Sequence, residues 1–151
     1  MWLNSALKRK QFIASCKTLK AKEILNHLKD KRLVCFTGSI PQCIELGGKY
    51  VVHSKSKDNA KIIQAFNNEK IDQIFAVNMM REAMNFTNIE AGIVVQLDNK
   101  KLMFAQTLGR ILRSSYPEFY ILVAQNTQDE AYLHTVLEGF DRKFVHKYEN
   151  I

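Results

Sequence analysis

Cysteine is scarce in this chain. Cys16, Cys35 and Cys43 are its three cysteines, odd in number and without C-x-x-C spacing. That usage argues against a zinc site and for reduced, buried or incidental thiols in a cytoplasmic setting. His27, His53, His134 and His146 form no ligand pattern, so no metal site is expected. No apolar run approaches a transmembrane span, which argues against a membrane partner. Met1-Trp2-Leu3-Asn4 leads into a basic segment rather than a secretory leader. Repeats and low-complexity stretches are lacking. Also missing is any G-x-x-x-x-G-K-[ST], the loop whose backbone cradles nucleotide phosphates. Gly47-Gly48-Lys49-Tyr50 imitates it without the upstream glycine or the final hydroxyl.

What is present is the makings of one domain with a real core, in a chain of 151 residues. Five short apolar runs follow one another: Leu33-Val34-Cys35-Phe36, Tyr50-Val51-Val52, Ile74-Phe75-Ala76-Val77, Gly92 to Leu97, and Phe119 to Val123. They are rich in β-branched and aromatic residues and mostly continuous. Strands buried on both faces, as in a parallel sheet, have this pattern. Helical patterns lie between several of them. Asp58 is placed to cap a helix in which Ile62, Ile63 and Phe66 share a face. Thr127, Gln128 or Asp129 starts another, with Ala131, Leu133, Val136 and Leu137 apolar and Gly139 at its end. Asp129 and Glu130 then fall in a first turn, where they suit the helix dipole. Phe140, Phe144 and Val145 are expected to pack back on the domain. Strand, helix, strand, repeated, predicts an α/β fold with helices on both faces.

The most informative stretch runs from Gln106 to Arg113 and spells Q-x-x-G-R-x-x-R. At about 100° per residue, Gln106, Gly109, Arg110 and Arg113 share one narrow helical face. Ala105, Leu108, Ile111 and Leu112 lie on the other side. One face packs while the other aims two guanidiniums and an amide outward, an arrangement suited to a polyphosphate. Gly109 leaves the backbone between them open to approach. Taken alone, the stretch is equally an amphipathic helix with solvated arginines.

In the company of the strands, this stretch resembles motif VI of the second, C-terminal RecA-like lobe of a superfamily 2 helicase. The resemblance runs from about residue 33 to about residue 145. Leu33 to Ser39 matches the strand and loop of motif IV, and Val52-His53-Ser54 with Phe66-Asn67 the next strand and helix. Val77 to Thr87 resembles motif V. The branch most similar in pattern contains restriction-enzyme helicase subunits, excision-repair translocases and phage recombination helicases. DEAD-box RNA helicases usually begin motif VI with His-Arg, which is lacking here. Motif V departs from the family: Asn78 stands for Thr or Ser, and Ala83, Asn85 and Thr87 for the usual Gly, Asp and Pro. Asn85 keeps hydrogen bonding but loses the charge. Thr87 gives up proline's fixed φ, which predicts a less rigid loop.

The resemblance implies a RecA-like parallel sheet flanked by helices over residues 33–151, preceded by a basic helical lead-in over residues 1–32. ATP with Mg²⁺ would sit between this lobe and an N-terminal RecA-like ATPase lobe that the chain lacks. Arg110 and Arg113 would act as arginine fingers, with Gln106 beside them as the third catalytic position. Gly109, Glu82 and Asn85 are the implied cofactor-binding positions. Thr37, Gly38, Ser39 and Asn78 are the implied nucleic-acid contacts, with DNA favoured over RNA. By themselves, Thr37-Gly38-Ser39-Ile40-Pro41 read as a turn with a helix cap. Two other functions stay open: a freestanding, non-catalytic RecA-like module binding nucleic acid or protein, and a lobe of an RNA helicase.

Charge is unevenly spread. Residues 1–32 hold nine of the 22 basic residues and two of the 15 acidic ones, so the rest of the chain balances and the whole net charge of +7 belongs to this segment. It reads as two helices broken between Ser15 and Lys17. Ala21, Ile24, Leu25 and Leu28 form a stripe that should dock on the sheet. Its basic face has three readings: it follows a nucleic-acid backbone, it is simply solvated, or its apolar residues Trp2, Leu3 and Leu7 pack on the other lobe.

Overall fold

The computed structural model describes residues 2–77 and 86–148, including all side chains there except those of residues 2, 3, 101–103 and 107. Its strands are β1 (Leu33–Thr37), β2 (Val51–Val52), β3 (Gln73–Val77), β4 (Ala91–Val94) and β5 (Glu118–Ile121). All pair in parallel, in the order β2-β3-β1-β4-β5. The continuous apolar runs follow from this placement. β1 is central and buried at every position, so both of its faces need apolar side chains. Val34 and Phe36 point to one layer of the core, Leu33 and Cys35 to the other.

The helices are α1 (Trp2–Cys16), α2 (Thr18–His27), α3 (Ile40–Gly47), α4 (Asn59–Asn67), α5 (Lys101–Ile111) and α6 (Gln128–Leu137), followed by a short 3-10 turn at Arg142–Phe144. α2 and α3 cover one face of the sheet through Ala21, Ile24, Leu28, Cys43 and Leu46. α4, α5 and α6 cover the other through Phe66, Phe104, Leu108, Ile111 and Val136. Burying a Phe or Leu side chain stabilises by about 1.5–3 kcal/mol, so these two layers carry the fold. The lead-in breaks at Lys17, as the sequence predicts. Burial raises the pKa of the Cys35 thiol and lifts that of Cys43 to about 11, which holds both as neutral thiols.

Caps explain several boundaries. Ser39 accepts from the Gln42 N–H at 3.3 Å and Pro41 follows inside the first turn of α3. Thr127 accepts from the Asp129 N–H at 3.2 Å, and Gly139 at φ 89° lies just beyond the end of α6. Asp58 does not cap α4 with its side chain. The exposed carboxylate leans towards Lys61 at 3.6 Å, while the Asn59 amide bridges the backbone N–H and C=O of His53 instead. β4 stops at Val94, short of Leu97; beyond it the Val95 N–H still donates to the Phe36 carbonyl at 2.8 Å, and the Gln96 side chain bonds Lys17 and Asp129. Phe140 packs on the core as expected, but Phe144, at the end of the 3-10 turn that Asp141 caps, and Val145 just after it are exposed.

Gly47 is required by contact rather than by φ. A Cβ there would stand 2.4 Å from Cγ of Phe75. Gly47→Ala is expected to cost about 1–3 kcal/mol through overpacking, read as a fall in the urea midpoint.

Candidate functional site

The arginine helix packs by Phe104, Leu108 and Ile111, spaced i, i+4, i+7 and all buried. That stripe rotates the buried face by one position from the expected one. Ala105 is exposed and Leu112 is 53 % exposed. Gln106, Gly109, Arg110 and Arg113 nevertheless share the outward side, and nothing lies within 4 Å of a Cβ built on Gly109. The regular helix ends at Ile111, so Arg113 stands in the turn that follows, its N–H donating to Arg110 O at 3.4 Å. The carbonyl end of a helix favours the charge of both arginines.

Arg110 is half-buried, and its Nη1 donates to the carbonyl of Phe86 at 3.2 Å. Motif VI therefore touches the exit of motif V directly. Beside them opens a cleft of about 590 Å³ bordered by Arg32, Arg110 and Arg113 with Glu69 and Glu90. Arg32 is paired with Asp72 at 3.4 Å, which leaves Arg110 and Arg113 as the cleft's guanidiniums for an anionic ligand such as a polyphosphate.

Arg32 is the residue that sequence reasoning missed. Counted there among the basic lead-in, it is a structural hub. Its guanidinium donates to the carbonyls of Phe66 at 2.8 Å, Asn88 at 3.1 Å, and Ile71 and Thr87 at 3.3 Å. It also lies 4.3 Å from the Phe66 ring centroid. Its own N–H donates to Glu90 Oε2 at 2.8 Å. Thr87, expected to loosen the loop, is tied down: its N–H, which proline would lack, donates to Asn67 Oδ1 at 3.0 Å. Asn88 takes a left-handed φ of 54° and donates to Glu69 Oε1 at 3.0 Å. No local signal marks Arg32, because its partners come from two distant stretches of chain, residues 66–72 and 87–90.

The implied nucleic-acid contacts lie elsewhere. Arg32 precedes the first residue of β1 and Gly38 follows its last, about 20 Å apart at ~3.3 Å per residue. Thr37 is fully buried, and its hydroxyl lies 3.3 Å from the Ala76 carbonyl oxygen as donor. The Gly38 N–H donates to Gln42 Oε1 at 2.9 Å, and a Cβ there would stand 2.6 Å from that of Ala14. Thr37 and Gly38 thus spend their donors inside the lobe, while Ser39, the α3 cap, is partly exposed. Asn78, Glu82 and Asn85 lie outside the described residues.

The acidic first turn of α6 also does more than suit a dipole. Asp129 is buried and ion-paired with Lys17, likewise buried. Its carboxylate accepts from Gln96 Nε2 at 2.8 Å and the Ala124 N–H at 3.0 Å. Lys17 Nζ donates also to Val95 O at 2.9 Å. Burial holds the Lys17 pKa below the ordinary lysine value, with Asp129 pulling the other way.

A parallel sheet with helices on both faces, and an arginine-bordered cleft where motifs V and VI meet, agree with the family comparison. The helicase conserved C-terminal domain matches residues 7–115. This chain belongs to that family. The fold is RecA-like, and solved helicase lobes share it. The C-terminal domain of the DEAD-box protein Dbp5 superposes with a TM-score of 0.64 at 12 % identity, covering 83 % of this chain and 79 % of that one. The C-terminal part of the Fun30 ATPase domain gives 0.58 at 14 %, over 78 % of this chain and 44 % of that one. A variant of S. cerevisiae Dbp5 bound to RNA and ADP BeF3 gives 0.63 at 10 %, over 83 % and 36 %. This helicase domain thus spans less than half the length of the latter two chains. No curated protein sequence matches it.

Proposed function

We propose that this helicase C-terminal domain is the arginine-bearing half of an ATP-dependent DNA helicase or translocase. In pattern it is nearest the restriction-subunit, excision-repair and phage recombination branch. The observation that carries the reading is the end of α5: Arg110 from the helix and Arg113 from the turn after it border one cleft, and the space above Gly109 beside them is open. Mg-ATP would be held mainly by a separate RecA-like lobe, supplied by another part of the same protein or by another chain. Arg113 and Arg110 would reach its β- and γ-phosphates and stabilise the charge that spreads over the transferring phosphoryl group. Gln106 would hydrogen-bond at the same place, with Glu82 and Asn85 serving the nucleotide from motif V. Ser39 and Asn78 would meet the nucleic-acid backbone. Thr37 and Gly38 hold that loop in shape. Closing and opening of the cleft would move this lobe along the strand.

RNA is the second reading, favoured by the likeness to a Dbp5 variant whose solved structure contains RNA.

Gly109 tests the proposal. Nothing in the lobe occupies the space a methyl group would take there. Gly109→Ala should leave the isolated lobe as stable or more stable, by up to about 1 kcal/mol from helix propensity. In the two-lobed enzyme the same change should lower ATP turnover by obstructing the approach to the α5 backbone. Full turnover in that variant would remove Gly109 from the site.

A further inference from the structure

The loop after β1 is roofed. The last turn of α1 lies on Gly38 through Ala14, and Gln42 Nε2 donates to both the Ala14 carbonyl and Thr18 Oγ1. Lys17 pins the end of α1 to the carbonyl of Val95 just after β4. A strand of nucleic acid crossing these strand ends therefore meets α1 before it meets Gly38.

The outer face of that roof is basic and open. Opposite Ala14, at about 100° per residue, stand Lys8, Arg9 and Phe12. All three are exposed, Phe12 by 68 %. α1 contains no acidic residue. Elsewhere in the lead-in most of the positive charge is paired internally: Lys17, Lys20, Lys22, Lys31 and Arg32 each meet a carboxylate, which leaves Lys29 outside α1. Among the described residues Lys8 and Arg9 have no such pair. These two cations stand beside an exposed aromatic ring. Cations with an interleaved aromatic suit single-stranded nucleic acid, where phosphates take the charge and a base stacks on the ring.

We propose that the outer face of α1 is a nucleic-acid contact, with Lys8 and Arg9 on phosphates and Phe12 stacking on a base. This rests on the reading that the lobe tracks nucleic acid. The test is fluorescence anisotropy of the whole chain with labelled single-stranded oligo-dT and oligo-rU over a salt series. Lys8→Gln with Arg9→Gln should flatten the log–log salt dependence by about 1.4, at ~0.7 per phosphate contact. Phe12→Ala should weaken binding by about tenfold with little change in slope. Lys29→Gln with Lys70→Gln removes the same charge from the opposite edge and should leave the slope alone. If that control weakens binding as much, diffuse charge is responsible and the proposal fails. If the α1 variants bind normally while Ser39→Ala or Asn78→Ala weakens binding, α1 is no contact but the nucleic-acid reading stands. If the Phe12 variant binds normally and a dimer dissolves on size exclusion, the face belongs to a protein and the proposal fails. Failure of the unaltered chain to bind either oligonucleotide would overturn both readings.

Discussion

Arg113→Ala is expected to lower ATP turnover of the proposed two-lobed enzyme by about 10³–10⁵-fold, the range seen when arginine fingers are supplied or withheld in related hydrolases. Arg113 is the cleaner probe of the two arginines. It is exposed beyond the end of α5, whereas Arg110 also holds the Phe86 carbonyl. Removing Arg113 should shift the stability of the isolated lobe by no more than about 0.5 kcal/mol, as for most surface changes. Removing Arg110 should also loosen the motif V exit. ATP affinity should change far less than kcat, since a finger acts mainly on charge that develops during transfer. Arg113→Lys should rescue poorly, because an ammonium cannot reproduce the planar fork. Steady-state kinetics with a separate measurement of ATP binding decides the matter. Unchanged turnover in Arg113→Ala would remove it from the finger role and shift weight to a non-catalytic module.

Asp129→Ala should be the most damaging change to the fold itself, at about 3–5 kcal/mol. The reason is the uncompensated charge left behind. Lys17 is 7 % exposed, and without the carboxylate its ammonium keeps only the carbonyls of Val95 and Gln96 Oε1. Gln96 Nε2 and the Ala124 N–H lose an acceptor as well. For a domain of this size the loss is a fall in melting temperature on the order of 10 °C. Lys17→Met combined with Asp129→Leu should cost less than the two single changes added together, because the pair interacts and no buried charge remains. A loss below about 1 kcal/mol in Asp129→Ala would mean that the pair is not buried in solution. The network also joins the lead-in to Gln96, which opens the segment running into α5. Damage there should therefore reach the arginine face before the lobe unfolds.

Both predictions concern one sequence, yet only the first was legible in it. The face bearing Gln106, Gly109, Arg110 and Arg113 follows from helical periodicity, a local property that needs no partner. The five strands could likewise be read. Their doubly buried runs, such as Val34-Cys35-Phe36, are local consequences of a parallel sheet. The stripe of Ala21, Ile24 and Leu28, a break near Ser15 to Lys17, and a helix start within Thr37 to Pro41 and another within Thr127 to Asp129 belong to the same kind of information. Where a local choice was degenerate, reading faltered. Asp58 and Asn59 both stand at the start of α4, but only the amide can donate to the His53 carbonyl while accepting from its N–H, which selects Asn59 for the bridge.

Tertiary structure decided what depends on distant partners. Lys17 reads as one more lysine of a basic helix until α6 brings Asp129 to it from across the chain. Arg32 becomes a hub only when the turn after motif V and the end of α4 converge on it. Thr37 and Gly38 look like donors for a phosphate, but Ala76, Gln42 and the α1 roof had already satisfied or covered them. A hydroxyl, an N–H or a charge is available to a ligand only if the fold leaves it unspent. The sequence alone determined which groups exist and which helical or strand face bears them. The tertiary structure decided which of them the protein keeps for itself, because burying a polar group is tolerable only when another part of the chain supplies its partner.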